Sequence, residues 1–153
     1  MKEKIYCENW NMFKKSLHWL KISYEKCKNF NFEDKKILEE ENIESLETLA
    51  NRFCRSVDIL INKVLRSLDI LELENISRKL DIVIRAEKRG FVEDYNKLIE
   101  LKNIRNELAH EYIIDNLLDK FKIIIIETPV LFEIENKIDE YNKIYSYCEN
   151  EKR

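Results

Sequence analysis

Residues 46 to 68 read LETLANRFCRSVDILINKVLRSL. Within this stretch Leu46, Leu49, Phe53, Val57, Leu60, Val64 and Leu68 recur at steps of three and four. That is the period of one helical face; a half-buried strand would alternate every second residue. An unbroken apolar stripe over so many turns predicts a long helix with a single buried seam, which we place from about Lys35 to Leu71. Upstream, Trp10, Phe13, Leu17, Leu20 and Tyr24 form a second stripe, predicting a helix from about Glu3 to Lys28 and a loop over Asn29 to Asp34.

Downstream, a shorter helix is expected over Ile76 to Arg89, closed by Gly90, because a left-handed residue just past a helix end costs glycine little. Glu93 to Glu111 follows, with Glu93 and Asp94 in a first turn that favours carboxylates. Another helix starts at Asp115, with Ile123 to Ile126 as its most buried part. Thr128-Pro129 reads as an N-cap and first-turn proline that restart the chain in a last helix to about Tyr147.

Composition agrees. The 153 residues contain one glycine and one proline, too few for the turns of a sheet protein, while 37% are charged. The β-branched run at 123–126 has no visible partner strand. The expected fold is therefore all-α: an antiparallel up-and-down bundle of four to six helices in a single domain over 1–153. Residues 35–147 make its core bundle and 1–30 an additional N-terminal helix.

A net charge of −3 advertises no global basic field, so nucleic acid would have to be met by a local patch. Cys7, Cys27, Cys54 and Cys148 match no zinc spacing, and with His18 and His110 far apart no metal or cofactor is expected. The charged start Met1-Lys2-Glu3-Lys4 lacks an apolar core for a secretory leader. The longest apolar run is too short to span a membrane. These features predict a cytoplasmic protein with reduced thiols.

Chemistry concentrates in Arg105-Asn106-Glu107-Leu108-Ala109-His110-Glu111-Tyr112. At about 100° per residue, Leu98, Leu101, Leu108 and Tyr112 share the bundle-facing stripe, with Ile104 beside it. Asn106 and His110, an i, i+4 pair, fall off that stripe, and Arg105 lies at its edge. Tyr95 and Ile99 share this second face, which predicts a contact between two copies of the chain. Histidine can exchange a proton near neutral pH, arginine offers a fork of donors to phosphate oxygens, and asparagine can orient either. Together they suffice for metal-free RNA cleavage by the 2′-OH, with the cation stabilising charge on the phosphorane. By spacing alone, a solvated helix end explains the same residues.

The segment from Ile104 to Tyr112 resembles the signature of the HEPN superfamily (higher eukaryotes and prokaryotes nucleotide-binding): Arg, a polar residue, a short spacer, then His. With Tyr112 it becomes Arg-x4-His-x-Tyr, which is similar to the HepT group of prokaryotic toxins. Leu80 to Tyr112, including Ala86-Glu87-Lys88-Arg89-Gly90-Phe91, fits that context. The resemblance spans about residues 45 to 145. It implies a HEPN-like homodimer and a metal-independent endoribonuclease with Arg105 and His110 catalytic and Asn106 supporting. It also implies a toxin–antitoxin pair in which an MNT-type nucleotidyltransferase is the antitoxin and attaches AMP to Tyr112. A non-catalytic HEPN partner of such a nucleotidyltransferase is the alternative, and a structural helical dimer the third possibility.

Other candidates are weaker. His18, among Leu17, Trp19 and Leu20, reads as a half-buried helix residue. Glu39-Glu40-Glu41 reads as a solvated turn, and Tyr141, Tyr145 and Tyr147 as a packing stripe. Arg52, Arg55 and Asp58 could line a cleft, but surface ion pairing accounts for them equally well.

Overall fold

The seam of residues 46 to 68 is the floor of the core: Leu46, Leu49, Phe53, Val57, Leu60, Val64 and Leu68 each expose 1% of their surface or less. The computed structural model describes residues 1–72, 74 and 78–149. Its helices are α1 (Lys2–Cys27), α2 (Glu40–Ile59), α3 (Arg66–Leu71), α4 (Lys79–Lys88), α5 (Asn96–Ala109) and α6 (Ile114–Ile144). Among the described residues there is no strand, and no helix is long and apolar enough to cross a membrane.

The seam helix begins later than expected. Lys35–Leu38 is a separate 3₁₀ turn, and Glu39 has an extended ψ of 142° before α2 starts. Local polar groups hold this break: Asp34 Oδ1 accepts from the Lys36 N–H at 2.9 Å, and Asn42 Nδ2 donates to the Lys36 carbonyl at 2.7 Å. Glu39 is the N-cap residue of α2, and Glu40 and Glu41 occupy its first turn, where the helix dipole favours them. Between α2 and α3 the chain passes through a π-helical segment, Leu60–Leu65, in which Leu60, Ile61, Val64 and Leu65 are all buried. The wider turn brings adjacent apolar pairs to the core side of one helix.

Cross-contacts fix the directions. Cys27 meets Ser45, Ser16 meets Ser56 and Asn9 meets Ser67, so α1 runs antiparallel to α2 and its continuation. Lys97 pairs with Glu127, and Glu107 with Lys120, so α5 and α6 are antiparallel as well. Tyr6 meets Asn142 and Tyr24 packs on Phe132, closing α6 back on α1 in the opposite sense. The four long elements thus run up, down, up, down, with α4 packed on the π segment and on α5. Helix α1 supplies Tyr6, Trp10, Phe13, Leu17 and Leu20 to the same continuous core.

Gly90 does end α4 as expected. Its φ is +86°, and the Gly90 and Phe91 N–H groups return to the carbonyls of Glu87 and Ala86. Buried Phe91 supplies the apolar contact of this Schellman closure. Ile76, the expected start of α4, lies outside the described residues.

Further expectations fail. The chain does not restart at Thr128-Pro129, because α6 is one helix with Pro129 inside it. Proline there denies the Ile125 carbonyl its helical donor. Thr128, fully buried, donates its hydroxyl to the Ile124 carbonyl at 2.6 Å, and burial of Ile124, Thr128 and Leu131 on one face carries the helix past the defect. Nor is Ile123–Ile126 uniformly buried: Ile124 is, but Ile126 is 70% exposed, as a helical period requires. The third concerns sulfur. Cys7 and Cys148 form a disulfide, and only Cys27 and Cys54 are free thiols.

One polar cluster lies inside this apolar frame. Asp69 on α3 is fully buried and is met by Arg85 at 3.2 Å and Arg89 at 2.6 Å, both on α4. Arg89 also reaches Glu72 at 2.9 Å, and Glu72 accepts from the Tyr141 and Tyr147 hydroxyls at 2.7 and 2.9 Å. Burial alone would lower the Arg89 guanidinium, but its bond to Asp69 and the charges of Asp69 and Glu72 outweigh that and raise it. Burial and the Glu72 carboxylate together push the Tyr147 phenol up to about 12. Removing one partner of such a set leaves the others charged and dry. Asp69→Asn is therefore expected to cost about 3–5 kcal/mol in urea unfolding, and the exposed control Glu93→Gln within about 0.5 kcal/mol; equal midpoints would show that the cluster is not structurally committed.

Candidate functional site

The motif occupies the last turn of α5 and the short connection to α6. Leu98, Leu101 and Ile104 anchor α5 in the core, whereas Leu108 is only half-buried. Arg105 points across to α2, where its Nη1 meets Asp58 Oδ1 at 2.7 Å. Both side chains are partly open to water, at 45% and 34% exposure, so the pair is worth little as a stability element. Of Arg52, Arg55 and Asp58, Asp58 is the one that meets Arg105. Arg52 instead binds the Trp19 carbonyl and Ser23 Oγ and lies over the Trp19 ring. His18 is exposed, with its ring edge-on to Trp19.

Beside Arg105 an open groove of about 480 Å³ runs between α2, α5 and α6, walled by Glu47, Asn51, Cys54, Leu108 and Phe121. Burial pushes the Cys54 thiol up to about 11 although Arg105 pulls the other way. At neutral pH it is therefore a thiol, and no nucleophile is offered by the groove wall.

Asn106 and His110 are exposed, and among the described residues their side chains have no hydrogen-bond partner. His110 is the C-cap residue of α5 with φ −116° and ψ 7°, so the helix stops at Ala109. Consequently Tyr112 does not continue the core-facing stripe expected of it. It is 86% exposed, and Ile113 and Ile114 after it are 61% and 42% exposed. Arg105, Asn106, His110 and Tyr112 are thus gathered at one solvent-open end of α5. Tyr95 and Ile99, expected on a free second face, are half-buried against the chain's own core.

Glu111 is the residue that sequence reasoning missed. Its Oε1 accepts from the N–H groups of Tyr112 at 3.1 Å and Ile113 at 3.0 Å, and from Asn116 Nδ2 at 3.4 Å. These bonds brace the connection from which Tyr112 points outward; the N-cap residue of α6 is Ile113, and no side chain caps that helix. The one signal in the sequence was an acidic residue just ahead of an apolar helix start, which is common and weakly diagnostic. Likewise, α5 starts at Asn96, with Asp94 ahead of it accepting from the Asn96 N–H at 2.9 Å.

The Ile113 N–H, then the Asn116 amide and the Tyr112 N–H, hold the Glu111 carboxyl below its ordinary value. A depressed carboxyl stabilises the turn above its unfolded value and loses that contribution as pH falls through the folded one. The protection factors of the Tyr112 and Ile113 amides, that is, exchange rates corrected for the intrinsic pH dependence, should therefore be raised at neutral pH and fall only below the ordinary carboxylate range of about pH 4. In Glu111→Ala they should be close to one throughout; protection that survives the substitution would remove Glu111 from this role.

Comparisons with protein-family models, with curated proteins and with solved structures find no match to this chain; its candidate site is defined by its own residues.

Proposed function

We propose that this chain is a metal-independent endoribonuclease of HEPN type. It would be the toxin of a prokaryotic toxin–antitoxin pair whose antitoxin is a nucleotidyltransferase. The observation that carries this reading is the release of Tyr112 from the helix beside exposed His110 and Arg105. A hydroxyl that accepts AMP has to be reachable, and a catalytic pair has to meet a phosphodiester. In the proposed reaction His110 takes the 2′-OH proton, the 2′ oxygen attacks phosphorus, and Arg105 stabilises the phosphorane before the P–O5′ bond breaks and the 5′ oxygen leaves as a hydroxyl, protonated from water. Asn106 would orient the imidazole or the substrate. AMP on Tyr112 would set a bulky anion beside the phosphate path and block it by volume and repulsion. Two copies would place two such sites in one cleft in the cytoplasm.

A second reading has its own support. Arg105 is already engaged by Asp58, and Tyr112-Ile113-Ile114 is an exposed apolar trio of the kind that protein partners cover. On this reading the chain binds a nucleotidyltransferase and cuts nothing.

Cleavage of total RNA separates the two. Activity should persist in EDTA, give 2′,3′-cyclic phosphate ends, and fall at least ~10²-fold in His110→Ala and in Arg105→Ala. Full activity in His110→Ala, or none in the wild type, would hand the case to the binding reading. Because Asp58 competes with phosphate for Arg105, Asp58→Asn should tighten RNA binding several-fold at low salt and leave His110→Ala inactive. Unchanged affinity would show that the ion pair does not restrain Arg105.

A further inference from the structure

The two ends of the described chain are joined. Cys7 in the first turns of α1 is bonded to Cys148, beyond the end of α6, and the tail between Tyr145 and Glu149 is folded back on the bundle. That docking carries costs. Ser146 and Cys148 both sit in the left-handed region, with φ of 58° and 64°, where a side chain is disfavoured. The Asn142 Nδ2 beneath the tail is buried and has no partner. Against these stand the Tyr147 hydroxyl on Glu72, the Tyr147 N–H on the Asn142 carbonyl, and a long contact from the Cys148 N–H to Glu3 at 3.4 Å. The Tyr147 ring also packs edge-on to Tyr6, and the Tyr145 ring against Tyr141; the disulfide is the covalent tie among these contacts.

Both cysteines are buried, Cys7 at 1% and Cys148 at 5% exposure, and Cys148 is the one that borders open space. Cys148 forms part of the wall of a small cavity of about 90 Å³, together with Trp10, Lys14, Asn142, Lys143 and Tyr147. Cys7 is not part of that wall. Lys14 and Lys143 line it together with Asp139 and Glu149, and Lys143 is paired with Asp139 at 3.1 Å. The free thiols Cys27 and Cys54 are held protonated by burial, so an attacking thiolate has to come from outside.

We propose that Cys7–Cys148 is a redox-responsive latch, opened by a small dithiol that enters this cavity and freeing residues 145–149 from the bundle. One thiolate of the reductant attacks Cys148 Sγ, and the Cys7 sulfur leaves and takes up a proton. The second thiol of the reductant then displaces the Cys148 sulfur, which is protonated in turn. The reductant ends as its own cyclic disulfide, so two electrons and two protons have moved to the protein. Released, the tail uncovers Trp10 and withdraws the Tyr147 hydroxyl from Glu72. The latch stands independently of any ribonuclease activity.

The test uses the full chain with and without dithiothreitol, reading helical circular dichroism and chymotryptic nicking after Tyr145 and Tyr147 by mass. A latch requires nicking to rise at least tenfold on reduction with helicity unchanged, and to fall back on reoxidation. Cys148→Ser should be nicked at the reduced rate whether or not dithiol is present; if that variant does not fold, the wild-type arms stand alone. Ser146→Gly, which relieves one left-handed residue, should slow nicking of the reduced chain. Nicking that ignores dithiol overturns the proposal. Loss of helicity on reduction overturns it as well, since the bond would then be a staple of the whole fold.

Discussion

Asp69 has no water to solvate it, and a carboxylate in that position is tolerated only where cations and hydrogen bonds replace the lost hydration. Here the replacement comes from Arg85 and Arg89 on α4, and Glu72, drawn in by Arg89, is completed by Tyr141 from α6 and Tyr147 from the tail. Helix α4 is short, and its apolar contribution to the core is Ile82, Val83 and Ala86. Apolar packing would accept several positions for such a helix, whereas two guanidinium forks on one carboxylate accept few. The cluster therefore sets where α4 lies, and with it the position of Gly90, the entry to α5 and the seat of the tail.

The end of α5 follows from a contest between continuing the helix and forming the connection to α6. The apolar period from Leu98 onward would carry Tyr112 inward, but the Tyr112 and Ile113 N–H groups donate to the Glu111 carboxylate ahead of α6 instead. Stopping the helix at Ala109 exposes three apolar side chains in succession and leaves His110 on an open end. A fold bears that exposure more readily where the surface has work to do. Arg105 is held in a different balance: partly wet, it can exchange Asp58 for a phosphate at little cost, because neither ion is deeply desolvated.

The disulfide ties this architecture to the state of its surroundings. Such bonds persist in oxidising compartments and are transient in reducing ones. In a cytoplasmic setting the tail would be docked only when the local balance favours oxidation. The closed loop is nearly the whole chain, with a sequence separation of 141 residues, so the bond also restricts the unfolded ensemble.

The long amphipathic stripes were legible from residues alone: Leu46 to Leu68, Trp10 to Leu20 and Leu98 to Ile104 are where the core lies. Helix closure at Gly90 was legible too, because both depend on interactions within a few residues. The run of Arg105, Asn106, His110 and Tyr112 was read on helical spacing, and the helix stops at Ala109 before its last two members. The rest required partners distant in sequence. Pro129 reads as a boundary until tertiary burial carries a helix across it, and the four cysteines read as reduced thiols until the fold brings residues 7 and 148 together. Nothing within a few residues of Asp69 marks it as the centre of an ion cluster with Arg85 and Arg89, and nothing near Arg105 announces Asp58 on α2. Local sequence by itself determined period, propensity and chain punctuation; tertiary structure alone decided which charges are neutralised and which thiols are joined, because those energies depend on distance through space and on exclusion of water.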